Sequence, residues 1–162
     1  NRQRLTLMPA LWPYFLLLVP AVFLVRDDFR RRTVSVVWLA VLGVIALAAG
    51  WITSGLWPML RHAAANTCLL VVLGGASCCW QSMRGRPFGA FFSTGFGAGD
   101  AVLALVLVPL FSPVPYLCFL LLSALVALVW WLQTRASTIP LAGFMALLLA
   151  VYAVFKTAGI WN

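Results

Sequence analysis

The chain contains only three acidic residues, Asp27, Asp28 and Asp100. Two carboxylates held together cannot both ionise cheaply, so one keeps its proton while the other acts as a base. Such a pair can take a proton from water and give one to a leaving amine. That is enough to hydrolyse a peptide bond without a metal or a covalent nucleophile, and the titration then belongs to the pair. Asp100 follows Gly97-Ala98-Gly99 and heads the apolar run Ala101–Phe111. A carboxylate at the end of a membrane helix is expensive and marks a function, and the glycines before it leave backbone that another segment can approach closely. The simpler role for Asp100 is to cap its own helix. Its partner in a pair is read as Asp28.

The elements that must position these acids are written in the composition. Of 162 residues, 64% are hydrophobic and 9% charged, and mean hydropathy is +1.05. That excludes an ordinary soluble domain. The runs are uniformly apolar rather than alternating, which argues against a β-barrel. The expected fold is all-α: a single polytopic membrane domain over residues 1–162, built as a bundle of six transmembrane helices. The segments run from about Ala10 to Val25, Val34 to Trp51, Leu56 to Trp80, Asp100 into Ser112-Pro113-Val114-Pro115, Tyr116 to Leu132 and Ile139 to Ile160. Pro13 and Pro20 should kink or delay the first. An arginine cluster, not a small-residue cleavage site, follows residues 10–25, so no cleavable signal peptide is expected. Trp12, Trp51, Trp57, Trp80, Trp130, Trp131 and Trp161 fall near segment ends, as an aromatic belt requires. No internal repeat is present.

The net charge of +8 does not point to nucleic acid, because the arginines sit in short connectors between apolar runs, where topology is set. Connectors after the first, third and fifth segments carry Arg26, Arg30, Arg31, Arg32, Arg84, Arg86 and Arg135; the opposite side has Arg2, Arg4, Arg61 and Lys156. The richer side is therefore cytoplasmic, and Asp28 and Asp100 both fall there. Asp100 to Ser112 makes about 20 Å of helix against the roughly 30 Å of a hydrocarbon crossing. Asp100 therefore lies below the membrane surface unless the helix continues through the prolines. Phe88, Phe91, Phe92 and Phe96 suit a loop over residues 81–99 lying at that surface. Cys68, Cys78, Cys79 and Cys118 form no CxxC pair and read as buried structural residues. The lone His62 has no partners for zinc. No metal and no cofactor are expected.

In these residues the chain resembles the type IV prepilin peptidases and preflagellin peptidases, the GxGD class of membrane aspartyl proteases. Gly97-Ala98-Gly99-Asp100 matches the GxGD motif. Asp28-Phe29-Arg30-Arg31-Arg32-Thr33-Val34 is similar to the family's first site, an Asp followed by basic residues and then Ile-Pro-Asn. Aligned on Asp28 rather than Asp27, Arg30 and Arg32 fall on the basic positions and Val34 on the Ile, while Ser35-Val36 replace Pro-Asn. Ile139-Pro140-Leu141-Ala142-Gly143-Phe144-Met145-Ala146-Leu147 is similar to an Ile-Pro-x-Gly-Pro-Phe-x-Ala-Leu segment, agreeing at Ile139, Pro140, Phe144, Ala146 and Leu147.

The resemblance implies that Asp28 and Asp100 activate water at the cytoplasmic face of a bacterial or archaeal plasma membrane. The substrate would be a prepilin or pseudopilin-like membrane protein, cut between its basic leader and its hydrophobic stem. The two CxxC pairs of the methylating members are absent, which suggests a peptidase-only form. Helix dipoles suggest Asp100 as the base, at a helix start, and Asp28 as the proton donor, at a helix end. The alternative from another class is a non-enzymatic polytopic subunit or small ion- or proton-coupled transporter, in which the two acids hold a cation. A presenilin-type protease would carry Tyr-Asp in an adjacent helix, and no Tyr-Asp occurs.

Overall fold

The computed structural model describes residues 12–85, 97–135 and 139–158. Among these residues there are six helices and no strand: α1 (Trp12–Arg31), α2 (Val36–Ser54), α3 (Leu56–Met83), α4 (Ala98–Leu107), α5 (Pro113–Thr134) and α6 (Leu141–Thr157). The loop phenylalanines 88, 91, 92 and 96, together with Arg2, Arg4, Arg86 and Trp161, lie outside the described residues.

Three helices, α2, α3 and α5, are long and apolar enough to cross a membrane. The other three differ from the expected pattern of six full spans. α1 carries the Arg26–Arg31 charges within its own length, α4 has 10 residues and α6 has 17. At about 1.5 Å per residue α4 is only about 15 Å long. The outer surface is apolar, with Phe15, Val36, Val44, Trp57 and Leu121 all more than half exposed, a face that water does not tolerate over such an area.

Helix α1 starts with Pro13 in its first turn, where the missing amide costs nothing, and continues through Pro20. It also extends beyond Val25, taking Asp28 into its last turns, and closes where Arg32 adopts a left-handed φ of 54°. The Arg32 amide then donates to the Asp28 carbonyl at 3.0 Å. Between α2 and α3 the chain reverses at Gly55, whose φ of 82° favours glycine.

The first and last helices, α1 and α6, pack most extensively on each other; α1 also contacts α2, and α4 fits between α2 and α6. Leu17, Leu24, Leu42, Leu103, Leu107, Met145 and Leu149 are fully buried at their junction. α3 lies at the edge, burying only Met59 and Asn66.

Asn66 explains how α4 can stop halfway. α4 ends in a turn at Val108–Leu110, with Pro109 unable to donate, so carbonyls there lose their helical partners. The Asn66 side-chain amide donates to the carbonyls of Val108 at 2.9 Å and Phe111 at 2.8 Å, and the Tyr116 hydroxyl donates to that of Ala104 at 2.8 Å. Irregular backbone in an apolar setting persists only where such donors reach it. Gly50 of α2 leaves the room this turn needs: a Cβ there would come within 2.6 Å of the Pro109 carbonyl oxygen.

Candidate active site

Helix α6 begins with no side-chain cap. Its N-cap is Pro140, which offers no hydrogen-bonding side chain, so the first-turn amides need partners from elsewhere. The Phe144 amide donates back to the Pro140 carbonyl. The two amides before it are satisfied by the two acids: Ala142 N–H donates to Asp100 Oδ1 at 2.7 Å, and Gly143 N–H donates to Asp28 Oδ2 at 2.6 Å. Consecutive amides of one helix thus hold carboxylates that are 72 residues apart in sequence. The positive end of the α6 dipole favours negative charge there.

Three glycines make this approach possible. A Cβ on Gly143 would lie 2.9 Å from Asp28 Oδ2 and 2.7 Å from the Phe29 ring. One on Gly99 would lie 2.7 Å from Val34 Cγ2, in the connector that follows α1, and one on Gly97 would lie 3.0 Å from Asp100 Oδ2. Gly97 is the N-cap of α4, and Asp100 occupies the third helical position rather than the cap itself. From there its carboxylate accepts from the Gly97 amide, the reciprocal half of a capping box. Capping and pairing with Asp28 are therefore compatible roles for the same side chain.

Both acids lie outside the three membrane-length helices. Burial raises the pKa of both, and the amide bonds pull each back. Their charged neighbours differ. The Arg32 guanidinium offsets part of the rise at Asp28, while the two carboxylates oppose each other's ionisation, and Asp100 is pushed up to about 6. Both acids therefore hold a proton more readily than an ordinary carboxyl does. The dipole argument for Asp100 as the base and Asp28 as the donor takes each acid on its own helix; here both carboxylates also sit on the N-terminus of the same third helix, whose dipole does not separate them. Asp27, one residue away, is half-buried and bonds to neither amide.

Around the pair, Phe29, Trp130 and Phe144 form an aromatic cluster, with centroids 5.2 Å apart for Phe29–Phe144 and 5.8 Å for Trp130–Phe144. Arg32 lies over the Trp130 ring at 5.6 Å. Pro140 is fully buried, Ile139 is exposed, and Arg30 projects outward. On the other side, an apolar cavity of about 410 Å³ opens between α3, α4, α5 and α6. Ala101 and Leu141 in its wall adjoin Asp100 and Ala142 in sequence. Its two hydroxyls, Ser77 and Ser123, donate to carbonyls of their own helices.

Sequence reasoning missed two groups here: the Ala142 and Gly143 amides, which carry no side-chain signal, and Trp130, taken for a belt residue. The cysteines are corrected too. Cys68, Cys79 and Cys118 are exposed rather than buried, and all four are unpaired, because the sulfurs project from outward faces of α3 and α5.

A scan against protein-family models and searches of curated proteins and solved structures found no match to this chain.

Proposed function

We propose that this protein is a membrane aspartyl endopeptidase of the prepilin-peptidase type, with Asp28 and Asp100 as its catalytic residues. The observation that carries this reading is the seating of both carboxylates on the consecutive amides of Ala142 and Gly143. In this mechanism Asp28, whose ionised form the Arg32 charge favours, accepts a proton from water as its oxygen attacks the scissile carbonyl. Asp100 donates its proton to the carbonyl oxygen. Collapse of the resulting gem-diol breaks the C–N bond, with the proton on Asp28 passing to the leaving amine and one hydroxyl proton returning to Asp100. No metal or cofactor enters this scheme.

The proposed substrate is a pilin-like precursor with a basic leader and an apolar stem. The cavity beside Asp100, with no unsatisfied hydroxyl in its wall, is chemically suited to the stem. The leader lies on the solvent side, and the bilayer boundary separates it from the stem. In the same reading all six helices belong to one membrane-embedded bundle. α4 and α6 enter from the cytoplasmic face of a bacterial or archaeal plasma membrane, and both acids lie at that boundary, on its aqueous side.

The test is cleavage of such a precursor in vesicles by Asp28→Asn and Asp100→Asn variants, each verified as inserted. Each substitution alone should lower the rate at least about 10²-fold, the usual contribution of a positioned acid or base. Intact cleavage in either variant removes the peptidase reading. If precursor processing is intact and proton or cation flux is altered instead, the pair belongs to a transporter or a non-enzymatic subunit.

A further inference from the structure

The aromatic cluster beside the pair has a role that packing alone does not explain. Arg32 lies one helical turn beyond Asp28, its amide donating to the Asp28 carbonyl at 3.0 Å, and its charge favours the ionised form of that acid. It is solvent-exposed and sits just past the end of α1, so a long flexible side chain there would ordinarily sample many orientations. Two features restrict it. Its backbone turns left-handed, with φ 54°, and its guanidinium lies over the Trp130 ring, 5.6 Å from the centroid. Trp130 is itself held between Phe29, at 6.3 Å and 85°, and Phe144, at 5.8 Å. Phe29 follows Asp28, and Phe144 follows Gly143, the residue that holds Asp28. One cluster therefore ties the charge, the carboxylate and the amide together.

We propose that Trp130 is a positioning residue that fixes the Arg32 guanidinium at the Asp28 end of the site. A face-on aromatic ring attracts a guanidinium by its quadrupole and stacks on its plane. A cation held in one place lowers a neighbouring acid's pKa more than one averaged over solvent. The other groups around Asp28 do not substitute for Arg32. α2 has no charged residue and α5 none within its span. α4 contributes only Asp100, and α6 only Lys156, in its far turn. On α1, Arg26, Arg30 and Arg31 are exposed and Asp27 is half-buried, and Arg135 follows α5 after Thr134. This inference rests on the peptidase reading for its consequence, but its test does not require cleavage.

The experiment is modification of the full-length protein in detergent by a water-soluble carbodiimide with an amine. The reagent attacks protonated carboxyls, and labelling at Asp28 is followed across pH by peptide mass spectrometry. Arg32→Gln should raise the Asp28 labelling midpoint by at least about half a pH unit, the low end for a nearby opposite charge once screening is allowed for. Trp130→Leu should raise it comparably, Trp130→Phe less, and the Trp130→Leu/Arg32→Gln double variant no further than Arg32→Gln alone, because the two act in series. The proposal is overturned if Trp130→Leu leaves the midpoint at its wild-type value while Arg32→Gln moves it, or if the double variant exceeds Arg32→Gln. Should Trp130→Leu lose its helical fold, the Trp130→Phe/Arg32→Gln cycle decides by the same additivity rule. Absence of cleavage in the wild type would sink the peptidase reading and leave the labelling result standing.

Discussion

Ala142 and Gly143 contribute no side-chain chemistry, yet their amides determine where both acids sit. The electrostatic consequence is testable through Asp100. Its pKa in the folded protein, about 6, lies above the ordinary 3.8, so between those values the folded chain holds a proton that the unfolded chain has released. Stability contributed by that proton is therefore lost as pH rises through the window from about 4 to 6, and Asp100→Asn should flatten that part of a thermal-unfolding profile. The same displacement shapes catalysis. The free enzyme needs Asp100 protonated and Asp28 ionised, so kcat/KM should be bell-shaped, with an alkaline limb near pH 6 that belongs to the pair. A flat profile from pH 5 to 8 would be incompatible with this division of labour.

Between elements, the site depends on three segments meeting without side chains in the way, and Gly99 is the sharpest case. Its hypothetical Cβ meets Val34 Cγ2 at 2.7 Å and Val34 Cβ at 3.1 Å, so the Val34 side chain of the α1–α2 connector packs directly on the bare α4 backbone. Gly99→Ala should cost about 1–3 kcal/mol, as overpacking does, and should displace Asp100 from the Ala142 amide. Adding Val34→Ala removes the closer contact and should restore part of both stability and cleavage, measured by denaturant unfolding and precursor assay. Full additivity of the two changes would mean they do not meet. That Asp28 and Asp100 come together was legible in the sequence, because acids are so rare in an apolar chain that each one is informative. The positioning of α6 was not, since an amide donor leaves no mark on composition. Asn66 did leave one: a single amide side chain inside an apolar run, opposite a helix broken at Pro109, is a signal that backbone carbonyls need a donor.

Across the whole molecule, the two carboxylates meet at one end of the bundle, where α1 ends and α4 and α6 begin. The α2–α3 turn at Gly55 is at the far end of α2, a 19-residue helix about 28 Å long at 1.5 Å per residue. That separation matches the hydrocarbon core of a bilayer, about 30 Å, so a membrane placed by the basic connectors puts the site on one face and Gly55 on the other. In the proposed orientation the arginine-rich side, and the site with it, faces the cytoplasm. In a background with Cys68, Cys78, Cys79 and Cys118 replaced by serine, Arg31→Cys should resist an impermeant maleimide in intact cells and react after permeabilisation, whereas Ser54→Cys should react in both. Labelling of Arg31→Cys from outside would put the acids on the wrong face for a cytoplasmic leader. Equal labelling of both positions from one side would mean that α2 does not cross at all, and the proposed membrane boundary at Asp100 would go with it.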